Sequence, residues 1–83
     1  MRYFIVKYVK RPDGKIDEIV STNKSLKSYD VMSANIILDF KTRSIEKCYY
    51  KNAPQINRDW SFLVEYYSKY YKNIIDMLEK TAA

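Results

Sequence analysis

One tetrapeptide constrains this chain more than any other: Arg11-Pro12-Asp13-Gly14, which contains its only glycine. Proline presets φ at the second turn position, aspartate tolerates the third, and glycine supplies the positive φ that closes the bend. Such a turn predicts a β-hairpin closed by a type I turn with a bulge at Gly14. The residues before it fit, because Tyr3, Phe4, Ile5, Val6, Tyr8 and Val9 form a β-branched and aromatic run broken only by Lys7. Pairing Arg11 with Lys15 sets Tyr8 opposite Glu18, Val6 opposite Val20 and Phe4 opposite Thr22. Phe4, Val6, Ile16 and Val20 then share the face best suited to a core.

Further along, Ser21 to Asp30 is polar and reads as a loop or a short irregular strand. From Val31 to Phe40 the residues Met32, Ala34, Ile36, Leu38 and Phe40 alternate with Ser33, Asn35, Ile37 and Asp39, a period of two. We read a strand here in preference to a helix capped by Asp30. Lys41-Thr42-Arg43 then makes a second hairpin loop, and Ser44 to Lys51 returns as its partner. Asn52-Ala53-Pro54-Gln55 ends the sheet, since proline cannot continue a central ladder.

The last third is helical. Trp60, Val64, Tyr67, Tyr71, Ile74 and Leu78 recur at helical spacing, widened on one flank by Leu63, Tyr70 and Met77. Asn57 or Asp59 serves as the cap, and Glu65–Lys69 and Asp76–Lys80 are i,i+4 pairs in the favourable order.

These elements predict one α+β domain over residues 1–83, with hairpins at about 2–22 and 31–51 and a helix at about 58–80. The sheet is antiparallel, four- to five-stranded and strongly bent, with one long C-terminal helix packed on it. Strands this short can curl a sheet into a partly open barrel resembling the Sm-like or SH3-like small barrels, although an Sm fold carries its helix first.

Composition removes most chemistries. There is no histidine, one cysteine and one glycine among 83 residues. A histidine base, a zinc cluster, a phosphate-binding glycine loop and a dinucleotide fingerprint therefore have no parts. Cys48 falls in a predicted strand and reads as a small buried hydrophobe. The carboxylates Asp13, Asp17, Glu18, Asp30, Asp39, Glu46 and Asp59 lie singly or in turns, without magnesium or calcium spacing. We read no enzyme, no cofactor and no metal. Tyrosine, lysine and arginine leave only a nuclease as a catalytic class, and the least favoured one. No apolar run is long enough to span a bilayer, and charges interrupt the N-terminal segment, so we expect no membrane and a cytoplasmic location.

Two features carry a function. The net charge is +5, and the residues before Asp59 hold all of the excess. Lys10, Arg11 and Lys15 sit at one hairpin tip and Lys41 and Arg43 at the other. If both tips share one edge, they present cations to phosphates, with Tyr49 and Tyr50 (and Tyr8) as rings for base stacking, so RNA or DNA is the expected partner. The plainer reading is solvated lysines and core tyrosines. The second feature is a surplus of aromatics on the helix. Phe62, Tyr66 and Tyr70 form a partial second stripe which, with Trp60, predicts a protein interface and a homo-oligomer.

The segments Met1-Arg2-Tyr3-Phe4-Ile5-Val6-Lys7-Tyr8, Pro12-Asp13-Gly14 and Ile37-Leu38-Asp39-Phe40-Lys41 resemble small uncharacterised proteins of marine cyanophage-like viruses. That resemblance implies a small accessory protein of phage or marine microbial origin, and it brings no activity and no site residues with it.

Overall fold

The computed structural model describes residues 1–49 and 59–82. Gly14 takes φ +86°, and its N–H donates to the Arg11 carbonyl at 3.0 Å while the Arg11 N–H donates to Lys15 at 2.7 Å. This closes β1 (Tyr3–Lys10) onto β2 (Ile16–Asn23) in the register the turn demands, with Phe4 opposite Thr22, Val6 opposite Val20 and Tyr8 opposite Glu18.

The chain then departs from the expected strand at Val31–Phe40. Ser28–Ser33 is a short helix, α1, and only Ile36–Asp39 forms a strand, β3. Local polar groups make the helix. Asp30 accepts from the Asn23 side chain at 3.1 Å and from the Lys27 N–H at 3.4 Å, and Ser33 Oγ donates back to the Tyr29 carbonyl at 2.8 Å. The sheet also needs the helix. Tyr3, Ile5 and Ile37 point to the face opposite the long helix and are buried there with Ala34, with Leu26 packed against them. Two lysines help to hold this cover. Lys7 Nζ lies 5.9 Å over the Tyr29 ring, and Lys47 Nζ donates to the Val31 carbonyl at 2.7 Å. Asn35 joins the layers, donating its N–H to Val6 and accepting the Tyr8 N–H on its side-chain oxygen.

β3 turns at 40–43 into β4 (Ser44–Cys48), which starts at the expected residue and ends at Cys48 rather than at the expected Lys51. The expected breaker at Asn52–Gln55 and the Asn57 cap lie outside the described residues. Strand order is β2-β1-β3-β4, all antiparallel, so β1 is central and β2 and β4 are the two edges. The sheet stays open rather than closing into a barrel.

The second helix, α2 (Trp60–Thr81), packs on the other face. Phe4, Val6, Ile36, Leu38 and Phe40 meet Leu63, Tyr67, Ile75 and Leu78, all buried, and Tyr8 and Tyr67 join hydroxyls at 2.9 Å. A straight helix of this length spans about 33 Å, against about 26 Å for the longest strands. It bends instead at Tyr71, whose φ of −130° and ψ of 39° are not helical. No proline or glycine lies in the helix. Tyr71 is held by packing, with its ring against Phe4 at 6.2 Å, and burial first, then the nearby Glu18, raises its hydroxyl's pKa. The bend shifts the helical phase beyond it, so Ile75 rather than Ile74 is buried; Tyr70, just before the bend, is exposed. Among the described residues the helix pairs Lys72 with Asp76 at 3.3 Å, not Glu65 with Lys69 or Asp76 with Lys80. Ile16 is 60% exposed, not core, because it lies at the hairpin tip beyond the reach of Tyr71.

Asp39 is the one buried charged side chain among the described residues. Arg2 donates to both its oxygens at 2.9 and 2.7 Å, and the N–H groups of Lys41 and Thr42 donate at 3.0 and 3.4 Å. Arg2 first, then these turn donors, holds the carboxyl at about 2, below its usual 3.8. One carboxylate thus ties the N-terminus to the β3–β4 turn.

Two outcomes follow from this architecture. Leu38→Ala should cost about 2–5 kcal/mol in urea unfolding, whereas Ile16→Ala should stay within about 0.5 kcal/mol. Comparable losses for the two would contradict the assignment of the core face. For Asp39, the folded pKa lies below the unfolded one, so its contribution is complete above about pH 4 and is lost as pH falls toward about 2. It amounts to about 2 kcal/mol. Asp39→Asn should lose that amount at pH 7 and flatten the fall in stability between about pH 4 and 2. What slope remains should come from exposed carboxylates such as Asp13, which Arg11 also lowers.

Candidate functional site

Strand direction decides where the basic residues go. β1 runs from Tyr3 to Lys10, and β3 beside it runs the opposite way, with Ile36 at Val6 and Asp39 at Tyr3. The first hairpin tip therefore sits at one end of the sheet and the second at the other, about 25 Å apart along an eight-residue strand. The two tips do not share an edge. Lys10, Arg11 and Lys15 are together at the upper end, and Lys41 and Arg43 at the lower.

The upper end is largely neutralised. Arg11 meets Asp13 at 2.8 Å and Asp17 at 3.5 Å, and Asp13 also accepts the Lys15 N–H at 3.0 Å. Tyr8 is spent in the core through its hydroxyl pair with Tyr67. Tyr49 is half exposed, beyond Cys48 and away from both tips, with its N–H on the Asn35 carbonyl. Tyr50 lies outside the described residues. Cys48 is half-buried against the core, opposite Ile36.

The lower end accumulates charge. An open cleft of about 290 Å³ is lined by Met1, Arg2, Lys24, Lys41, Thr81 and Ala82, and every charged side chain on that lining is basic. Arg2 comes from the start of β1, Lys24 from the residue after β2, and Lys41 from the β3–β4 turn. Arg43, in the same turn, has φ 53° and holds its guanidinium 5.7 Å above the Trp60 ring. Among the described residues neither Lys24, Lys41 nor Arg43 has a carboxylate within ion-pair distance. Because α2 bends, both its ends arrive here. Trp60 packs edge-on against Phe40 at 4.9 Å, and Thr81 Oγ1 donates to the Met1 carbonyl at 3.3 Å. The carbonyl end of α2 opposes an anion with about half a charge, which three to four cations outweigh.

Arg2 and Lys24 were missed from the sequence, although the hairpin register held the signal. Continued past Phe4–Thr22, it sets Arg2 beside Lys24.

The aromatic surplus on α2 is a separate surface. Phe62 and Tyr66 stack at 6.3 Å and 17°, and Tyr70 meets Tyr66 edge-on at 6.1 Å. Phe62 is 41% and Tyr70 70% exposed. Trp60 stands apart from this ladder, half-buried on Phe40.

No described helix is long and apolar enough to cross a membrane, and no metal-holding group of three or more acidic, cysteine or histidine side chains occurs among the described residues. No family model and no curated protein matches the sequence, and no solved structure matches the fold.

Proposed function

We propose that this chain is a non-enzymatic binding module whose lower end takes the phosphate backbone of a single-stranded nucleic acid. One observation carries the reading: three separate segments deliver Arg2, Lys24 and Lys41 to one open cleft with no acidic side chain on its lining. Arg43 extends the same end. The cations are strung across the ends of two strands and a turn, which suits a row of phosphates better than a single small anion. The edge of Asp39 that Arg2 covers is already satisfied, so binding does not require Asp39 to give up its turn donors. Arg2, one third exposed, keeps a face toward the cleft.

Binding of this kind releases counterions. Four phosphate contacts on a single strand give a log–log salt slope of about −3, or about 50-fold weaker binding between 50 and 200 mM salt. The test is fluorescence anisotropy of a labelled mixed-sequence oligonucleotide of about twelve nucleotides. Lys24→Ala with Lys41→Ala should reduce the slope by about 1.4 and weaken binding at low salt at least tenfold. Lys10→Ala with Lys15→Ala, at the opposite end, should change affinity less than threefold. Salt-independent affinity, or equal losses from the two pairs, would reject the lower end as the site.

A further inference from the structure

We infer that a second copy of this chain pairs antiparallel along the open edge of β2, about a two-fold axis at Ile19. This goes beyond the nucleic-acid reading and stands on different residues. Strand order leaves β2 with a neighbour on one side only. The bond from the Arg11 N–H to the Lys15 carbonyl fixes which of its groups face outward. Bonded and non-bonded pairs alternate along an antiparallel ladder, so Asp17, Ile19 and Ser21 bond to β1. Ile16, Glu18, Val20 and Thr22 turn their N–H and C=O groups away from it. Among the described residues nothing takes up those outward groups.

The edge is unguarded. Proteins blunt such edges with lysine, proline, bulges or short strands. β2 is eight residues long, keeps an unbroken register with β1, and has no lysine, arginine or proline. β4, the other edge, has five residues, Lys47 and a bulge at Glu46. Ile19 stands in the middle of β2 at 50% exposure, on the side of the sheet that α1 covers. It lies opposite Lys7, whose ammonium sits over the exposed ring of Tyr29. The free edge thus borders an apolar surface on the same side.

Charge and register name the occupant. Such an edge meets identical edges at the chain's own concentration, and opposed like charges are what would keep them apart. The carboxylates of β2, Asp17 and Glu18, both lie in its first half. Antiparallel pairing centred on Ile19 sets them against Ser21 of the partner subunit and Val20 of the partner subunit. Each acidic half then runs beside the half that leads into Lys24 of the partner subunit. Glu18 and Val20 exchange backbone bonds across the axis, and Ile19 buries its side chain on Ile19 of the partner subunit. Sliding two residues toward the hairpin tip opposes Glu18 to Glu18 of the partner subunit. Sliding two the other way moves Ile19 onto Ser21 of the partner subunit. Joining β2 to β4 of another copy meets the bulge at Glu46 and propagates an open ribbon instead of closing.

Size sets the strength. Ile16–Thr22 presents an edge about 23 Å long and about 10 Å deep, or roughly 230 Å² per copy. A standard stable interface buries roughly 800 Å² per partner. The dimer is accordingly weak and reversible, and it is to be sought at tens to hundreds of micromolar protein.

Sedimentation equilibrium of the full chain tests it, with far-UV circular dichroism confirming that each variant folds. Wild type should self-associate in that range. Ile19→Lys and Ile19→Glu should each weaken association about tenfold, by setting like charges together at the axis. An equimolar mixture of these two variants should associate at least tenfold more tightly than either alone, a recovery that a merely structural role for Ile19 would not produce. Met32→Lys, at an exposed apolar position on α1, should change association less than about threefold. A wild type that stays monomeric to about 500 μM overturns the proposal, as does a mixture no tighter than its components. So does association that Phe62→Glu abolishes and both Ile19 variants keep, which would give the interface to α2.

Discussion

Phe4 holds the long helix at its bend: its ring meets Tyr67 at 5.1 Å, one turn before the bend, and Tyr71, the bend residue itself, at 6.2 Å. It is fully buried in the central strand, so the bend is fixed to the most constrained part of the sheet. A helix with no glycine or proline has no backbone reason to kink, and here tertiary contact supplies the reason. Burying Tyr67, Ile75 and Leu78 on a sheet shorter than the straight helix requires the axis to turn. The alternative leaves a turn or more of apolar side chain hanging beyond the last strand, at about 25 cal/mol for each Å² left wet.

The bend links packing to the basic end. It returns the last turn of α2 to the Met1 carbonyl while the first turn stays on Phe40, so the cleft beside Arg2, Lys24 and Lys41 gains a wall. Asp39 makes the same end rigid. Its bidentate bond to Arg2 and its turn N–H donors fix the N-terminal residues and the β3–β4 turn in one geometry. A buried carboxylate is costly unless its lone pairs are filled, and here the groups that fill them also place the neighbouring cations.

Some of this was legible in the sequence and some was not, for identifiable reasons. Pro12-Asp13-Gly14 specified the first hairpin because turn geometry is local and sets register for every residue it joins. The long helix was legible because its apolar spacing persists over more than five turns. α1 was not, since six residues are too few for a helical period to show against the alternation running through Val31–Phe40. The positions of the tips depend on which strands pair. A simple meander would set β3 beside β2 and both tips at one end, whereas α1 carries the chain across to β1 and inverts the second hairpin. That choice is made by non-local burial of Ile5 and Ile37, which no short window contains. The ladder Phe62–Tyr66–Tyr70 was visible as excess apolar surface, and its stacking was not.

The central claim is that α2 folds back so that both its ends meet the same end of the sheet. Nuclear Overhauser contacts in a uniformly labelled sample test it most directly. The structure predicts three sets together: Trp60 indole to Phe40 ring, Tyr67 and Tyr71 rings to Phe4, and Thr81 methyl to Met1. A continuous helix through Tyr71, with the Trp60–Phe40 contacts present and the Thr81–Met1 contacts missing, would contradict it.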